Sequence, residues 1–157
     1  MNFDDGWANP HRSLLKTLVS QLHNSTATSM VEKRGPRSIL VIDDDPDMRH
    51  VLSDFLQRSG YRVVEAASGP EGIFAAESER IDVVIVDKEM PGMSGLDVLS
   101  FFRHRCPRLP IIFITAFGGR EDEDESRRRG AWLYIEKPFR VASVVDAVQS
   151  VLDRPAP

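Results

Sequence analysis

Ile81-Asp82-Val83-Val84-Ile85-Val86-Asp87-Lys88-Glu89-Met90-Pro91-Gly92-Met93-Ser94-Gly95 is the stretch that decides the fold. Val83 to Val86 is a run of β-branched apolar residues, the pattern of a strand buried on both faces. The run stops at Asp87, and the Met-Pro-Gly-Met-Ser-Gly beyond it reads as a loop. A carboxylate at the end of a parallel strand, facing a glycine-rich loop, stands where open α/β sheets bind ligands. Two further islands are placed to meet it: Asp43-Asp44-Asp45 after one apolar strand and Lys137-Pro138 after another. Asp87 is therefore a candidate phosphoryl acceptor.

Outward from that stretch, a β-α alternation begins at Ser38 and does not stop. Ile39 to Ile42 is a strand ending at Asp43, and Pro46 opens a helix to about Arg58, with Met48, Val51, Leu52, Phe55 and Leu56 expected inward. Gly60 sits where a helix C-cap belongs. Tyr61 to Glu65 is the second strand, Gly69 to about Ser78 the second helix, and Gly95 to Phe102 starts the third, which Pro107 and Pro110 close. Leu109 to Ile114 leads into Thr115, and Trp132 to Ile135 is a fifth strand. Val141, Val144, Val145, Val148, Val151 and Leu152 give the last helix its apolar face. Five such units with short connections imply an α/β fold: a doubly wound, five-stranded parallel sheet covered on both faces. One reversal of strand order puts the crevice beside strands one and three, where Asp43 and Asp87 belong.

Composition narrows the classes. At 157 residues and 41% apolar content the chain suits one domain with a real core. A net charge of −4 argues against non-specific nucleic-acid or membrane-surface binding. Cys106 is alone, so neither a disulfide framework nor a cysteine-rich metal site is expected. No apolar run approaches the roughly 20 residues that span a bilayer, and a cytoplasmic setting is the simplest expectation. Residues 1–37 read as an extension, with an amphipathic helix over about 10–23 carrying Leu14, Leu15, Leu18 and Leu22, then a polar linker. It is either a loose arm or a helix that docks on this domain, a second copy or a partner. Residues 38–154 form the domain and 155–157 a tail.

Three consecutive aspartates raise one another's pKa and repel unless a cation joins them. A hard divalent cation, most simply Mg²⁺ held by carboxylates and water, relieves that cost. Asp45 alone suffices to cap the helix opening at Pro46, which leaves Asp43 and Asp44 to be explained. Lys137 is a compact cation that can reach Asp87 or a phosphoryl oxygen, and its bond to Pro138 is of the kind that can be cis. Thr115 offers a hydroxyl donor to the same oxygens. Asp, Asp, Thr and Lys thus each end a different apolar strand.

Four motifs in this order, Ile-Leu-Val-Ile-Asp-Asp-Asp (39–45), Val-Ile-Val-Asp-Lys-Glu-Met-Pro-Gly-Met-Ser-Gly (84–95), Ile-Ile-Phe-Ile-Thr-Ala (111–116) and Tyr-Ile-Glu-Lys-Pro-Phe (134–139), resemble the receiver domain of two-component response regulators. The resemblance covers about Ser38 to Arg154. It implies a flavodoxin-like, CheY-like fold of sheet order 2-1-3-4-5, and phosphoryl transfer to Asp87 from a histidine kinase or a histidine phosphotransfer protein. It implies Asp43 and Asp44 as an acidic pair for Mg²⁺, Asp87 as acceptor and metal ligand, and the backbone carbonyl of Glu89 as a further ligand. Thr115 and Lys137 match the hydroxyl and lysine that bind the phosphoryl group, and Tyr134 matches the aromatic switch that turns inward with Thr115. Such a chain is a signalling phospho-acceptor that catalyses only its own phosphorylation and dephosphorylation, not an enzyme on other substrates.

Some positions depart from the common pattern. Glu89 is charged and close enough to bear on phosphoryl lifetime, and Phe117 is bulky where many relatives are polar. The segment Glu121-Asp122-Glu123-Asp124-Glu125-Ser126-Arg127-Arg128-Arg129 has almost nothing apolar to pack on a sheet, yet pairs acids with arginines at i,i+4. It is either a solvated helix or a segment that orders on phosphorylation or docking. A stand-alone receiver, monomeric or weakly dimeric, is expected, with output through the face of helix 4, strand 5 and helix 5. The alternatives are a receiver fragment of a larger protein and a pseudo-receiver that binds partners constitutively. A haloacid-dehalogenase-like phosphatase fits poorly, since Asp47 stands where that family has Thr or Val.

Overall fold

A computed structural model describes residues 35–116 and 119–153. The expected helix over 10–23 and its linker, Phe117, and the tail from Arg154 lie outside the described residues. Ten elements alternate: β1 (Ser38–Ile42), α1 (Pro46–Arg58), β2 (Arg62–Ala66), α2 (Gly69–Ser78), β3 (Val83–Asp87), α3 (Gly95–Arg105), β4 (Ile111–Thr115), α4 (Arg120–Arg128), β5 (Leu133–Glu136) and α5 (Val141–Leu152). The strands form one parallel sheet, as the β-α alternation requires, in the order β2-β1-β3-β4-β5 that the family resemblance implies.

Every residue of β1, β3 and β4 is buried, because helices cover both faces of these central strands. Alternate side chains divide the core in two. Ile39, Val41, Ile85, Ile112 and Ile114 pack with Leu52 and Leu56 of α1 and Val144, Val148 and Val151 of α5. On the other face Leu40, Ile42, Val84, Val86 and Phe113 pack with Val98, Leu99 and Phe102 of α3. Burial of this kind contributes roughly 1.5–3 kcal/mol per large side chain.

The α1 face differs from the expected one. Leu52 and Leu56 are buried, but Val51 and Phe55 remain 40% and 44% exposed. The inward arc is rotated toward Ser53, which is buried instead, because α1 leans on β1 and β2 as well as on α5. Asp45 does cap α1, accepting from the backbone N–H groups of Asp47 and Met48. Gly60 has φ +90°, the left-handed cap conformation open to glycine. Ser94 and Asp97 form a capping box that starts α3.

The acidic-basic segment is a helix, α4. Ion pairs Arg127–Glu123 at 2.7 Å and Arg129–Glu125 at 2.6 Å run along its outer side, and Ser126 is fully buried toward the sheet. No helix among the described residues is long and apolar enough to cross a membrane.

Candidate functional site

Parallel strands end on one edge of the sheet, and here their ends are tied together by backbone bonds. Asp43 donates to the Ala66 carbonyl at 3.2 Å, Lys88 to Ile114 at 2.8 Å, and Lys137 to Thr115 at 2.7 Å. These bonds fix where the first side chain after each strand projects. Asp43, Asp87, Thr115 and Lys137 therefore come together, although they are spread across the sequence.

Asp43 is buried, with Oδ1 accepting from the Asp45 amide at 2.9 Å. Its carbonyl accepts from Arg49 Nη1 at 2.6 Å, so α1 braces the loop that carries the carboxylate. Asp44 is exposed. Asp87, also buried, receives a 2.9 Å hydrogen bond on Oδ2 from Lys137 Nζ, which stands 3.7 Å from Asp43 Oδ2. The Lys137–Pro138 peptide is cis. Asp87 Oδ1 is buried and has no hydrogen-bond partner among the described residues.

One lysine against this many carboxylates leaves an excess of negative charge. Desolvation holds the carboxyl groups of Asp43 and Asp87 above the usual range, and the attraction of Lys137 only partly opposes it. Desolvation alone would lower the Lys137 ammonium, but its bond to Asp87 and the surrounding charges outweigh that and hold it above its ordinary value. Asp43, Asp44 and Asp87 each offer an oxygen, all within 4.8 Å of one another. Oxygen-only donors, one of them orphaned and buried, fit a hard divalent cation such as Mg²⁺.

Thr115 is fully buried at the end of β4. Its Oγ1 donates to Glu89 Oε1 at 2.7 Å, and the Ala116 amide donates to Glu89 Oε2 at 3.1 Å. Tyr134 is half-buried on β5, packed against the core on the α3 face. The loop after β3 is held close: Gly95 donates to the Lys88 carbonyl at 3.1 Å, and a Cβ at that position would lie 2.2 Å from the Asp87 carbonyl oxygen. Beside the site an open cleft of about 520 Å³ is walled by Met48, Val51, Ala116, Lys137, Pro138 and Phe139.

The residues picked from sequence thus converge, with Tyr134 set apart on the neighbouring strand. Two participants, Arg49 and the Ala116 amide, were not picked out, and one contact of a residue that was, Glu89, was not foreseen. The Arg49 brace could have been suspected from a basic residue one turn into α1. The Ala116 amide is a backbone group and carries no residue signature. Glu89 was noted for its charge, but its contact with Thr115 depends on the pairing of β3 with β4.

The profile of the response regulator receiver domain matches residues 39–149. The "Probable transcriptional regulatory protein TcrX" of Mycobacterium tuberculosis is 37% identical over 119 residues, 76% of this chain and 51% of its own. The chain thus spans about half the length of that relative, and 28% of the transcriptional regulatory protein GlrR of Escherichia coli, at 32% identity over 78% of this chain. Sporulation initiation phosphotransferase F of Bacillus subtilis is 32% identical, over 73% of this chain and 92% of its own. Among solved structures, chemotaxis protein CheY4 of Vibrio cholerae superposes with a TM-score of 0.72 at 32% identity, covering 75% of this chain and all (100%) of that one.

Proposed function

The chain belongs to the response regulator receiver domain family, and from that premise we propose that Asp87 accepts a phosphoryl group from a phosphohistidine on a histidine kinase or histidine phosphotransfer protein. The observation that carries this reading is the Asp87 carboxylate itself: buried, held on one oxygen by Lys137, and without a hydrogen-bond partner on the other among the described residues. An Asp87 oxygen attacks phosphorus as the phosphorus–nitrogen bond of the donor breaks. The imidazole departs with that electron pair and a proton, and an acyl phosphate remains on Asp87. Lys137 holds the nucleophile and neutralises charge on the phosphoryl oxygens, while the Thr115 hydroxyl donates to one of them. Catalysis here is mostly placement, and the bonds between strand ends supply it.

The carboxylates of Asp43, Asp44 and Asp87, with the Glu89 backbone carbonyl, would hold Mg²⁺. When bound, the ion supplies the positive charge that offsets repulsion between the carboxylate and the phosphoryl group. The cleft beside Lys137 and Ala116 gives a donor imidazole its approach. Output runs through the surface of α4, β5 and α5, with Tyr134 following Thr115 as the switch. The difference in contacts before and after modification is what biases that surface. The domain works in the cytoplasm as a monomer or weak dimer, through protein contacts.

Intact mass after incubation with acetyl phosphate, with and without Mg²⁺, tests the reading beside Asp87→Asn. One Mg²⁺-dependent adduct, absent from the variant and released by hydroxylamine, is expected. No adduct under conditions that label a control receiver would leave a pseudo-receiver acting by constitutive binding.

A further inference from the structure

We propose that the Glu89 carboxylate is a built-in occupant of the phosphoryl-binding position, and that it must leave before Asp87 is modified. The inference rests on the acceptor reading above and goes a step further. Two donors from the end of β4, the Thr115 hydroxyl and the Ala116 amide, converge on the two oxygens of this one carboxylate at 2.7 and 3.1 Å. A hydroxyl and a backbone amide aimed together at a planar anion form an oxyanion grip. The contact is not local: it joins the loop after β3 to the residues ending β4, 26 and 27 positions away. Glu89 also follows the acceptor by a single intervening residue, so the gripped anion stands beside the carboxylate that is to be modified.

Each of these donors has one hydrogen to give. The Thr115 hydroxyl cannot serve the Glu89 carboxylate and a phosphoryl oxygen at once, so the two anions exclude each other. In the unmodified protein the grip is already closed on an anion. Modification then replaces one anion by another at Thr115, and the larger change is the release of the Glu89 side chain from between the two loops. Glu89 is a positioning residue by this account: it sets how readily the site is entered, and its departure is part of the signal. Competition of this kind lowers the apparent affinity for an incoming anion in proportion to the time the position is free, so a position open about a tenth of the time costs about tenfold.

The full chain is tested as wild type, Glu89→Gln and Glu89→Ala. Amide NMR without donor or metal reads the Ala116 proton, which a carboxylate acceptor holds downfield. It is expected to move upfield in Glu89→Ala. Beryllofluoride titrated with Mg²⁺ should bind about tenfold tighter to Glu89→Ala than to wild type, and acetyl phosphate should label it faster by a similar factor, with Glu89→Gln between the two. Equal labelling and equal beryllofluoride affinity in wild type and Glu89→Ala would overturn the inference while leaving Asp87 as acceptor. Faster labelling to the same extent in both variants, with the Ala116 resonance unmoved, would reduce Glu89 to a repulsive charge and overturn it as well. Neither adduct nor beryllofluoride binding in any of the three would overturn the acceptor reading and this inference with it.

Discussion

Strand β3 has an aspartate at each end, and the two are treated in opposite ways. Asp82, just before the strand, accepts from Arg37 Nη1 at 3.0 Å on one oxygen and from the Ser38 amide at 2.9 Å on the other, with Arg80 3.5 Å away. Asp87, at the other end, has Lys137 on one oxygen, no hydrogen-bond partner on the second among the described residues, and two further carboxylates for neighbours. A carboxylate whose oxygens are all engaged holds β1 against β3. One left short of partners in a buried, negatively charged place costs stability and keeps its capacity to react. The same residue type thus serves the fold at one end of the strand and, on the proposed reading, the chemistry at the other.

The largest test of that contrast is Asp87→Asn. Labelling by acetyl phosphate should fall at least ~1000-fold with the nucleophile gone, while the melting temperature in Mg²⁺-free buffer at pH 7 should rise, because a crowded charge is removed. A fall in melting temperature would mean that Asp87 is as well satisfied as Asp82. Asp82→Ala should do the reverse, costing about 2–3 kcal/mol in urea unfolding, since the Ser38 amide and Arg37 lose their acceptor, with labelling within about twofold of wild type.

Acidity offers a subtler separation. Burial raises the carboxyl groups of Asp43 and Asp87 in the folded chain. A raised carboxyl group adds stability below the ordinary carboxylate range and loses it as pH rises through the higher folded value. The stability gap between Asp87→Asn and wild type should therefore be widest near pH 7 and narrow on acidification toward pH 4. A gap that widened on acidification would contradict the assignment. The smallest effect belongs to charges left in water: Glu125→Gln breaks the exposed pair with Arg129 on α4 and should cost no more than ~0.5 kcal/mol by denaturant titration.

The sequence carried the central strands plainly, because a strand buried on both faces must be apolar at every position, and Val83 to Val86 are. It carried Asp87 and Lys137 as candidates for a related reason, since a charged residue ending such a run has few ordinary explanations. Phe55 and Val51 misled because helical periodicity locates an apolar arc only to within about a residue, and the packing partner decides its centre. The grip on Glu89 was out of reach: it needs the β3–β4 register and a backbone donor, and neither leaves a mark on residue identity. The i,i+4 charges of α4 suited a helix but left its order open, and the burial of Ser126 was not legible, because a serine among charges has no pattern.

Gly95 has a consequence for motion. With no room for even a methyl group between the start of α3 and the Asp87 carbonyl, and with the Lys88 carbonyl bonded to its amide, strand and helix meet as a welded joint. A displacement that begins at Asp87 finds no slack toward α3. On the proposed reading it would be turned across the sheet instead, through Thr115 and Lys137, toward α4 and β5. The tight side of the site would then act as an anvil, and what is unable to move would set the direction of a signal.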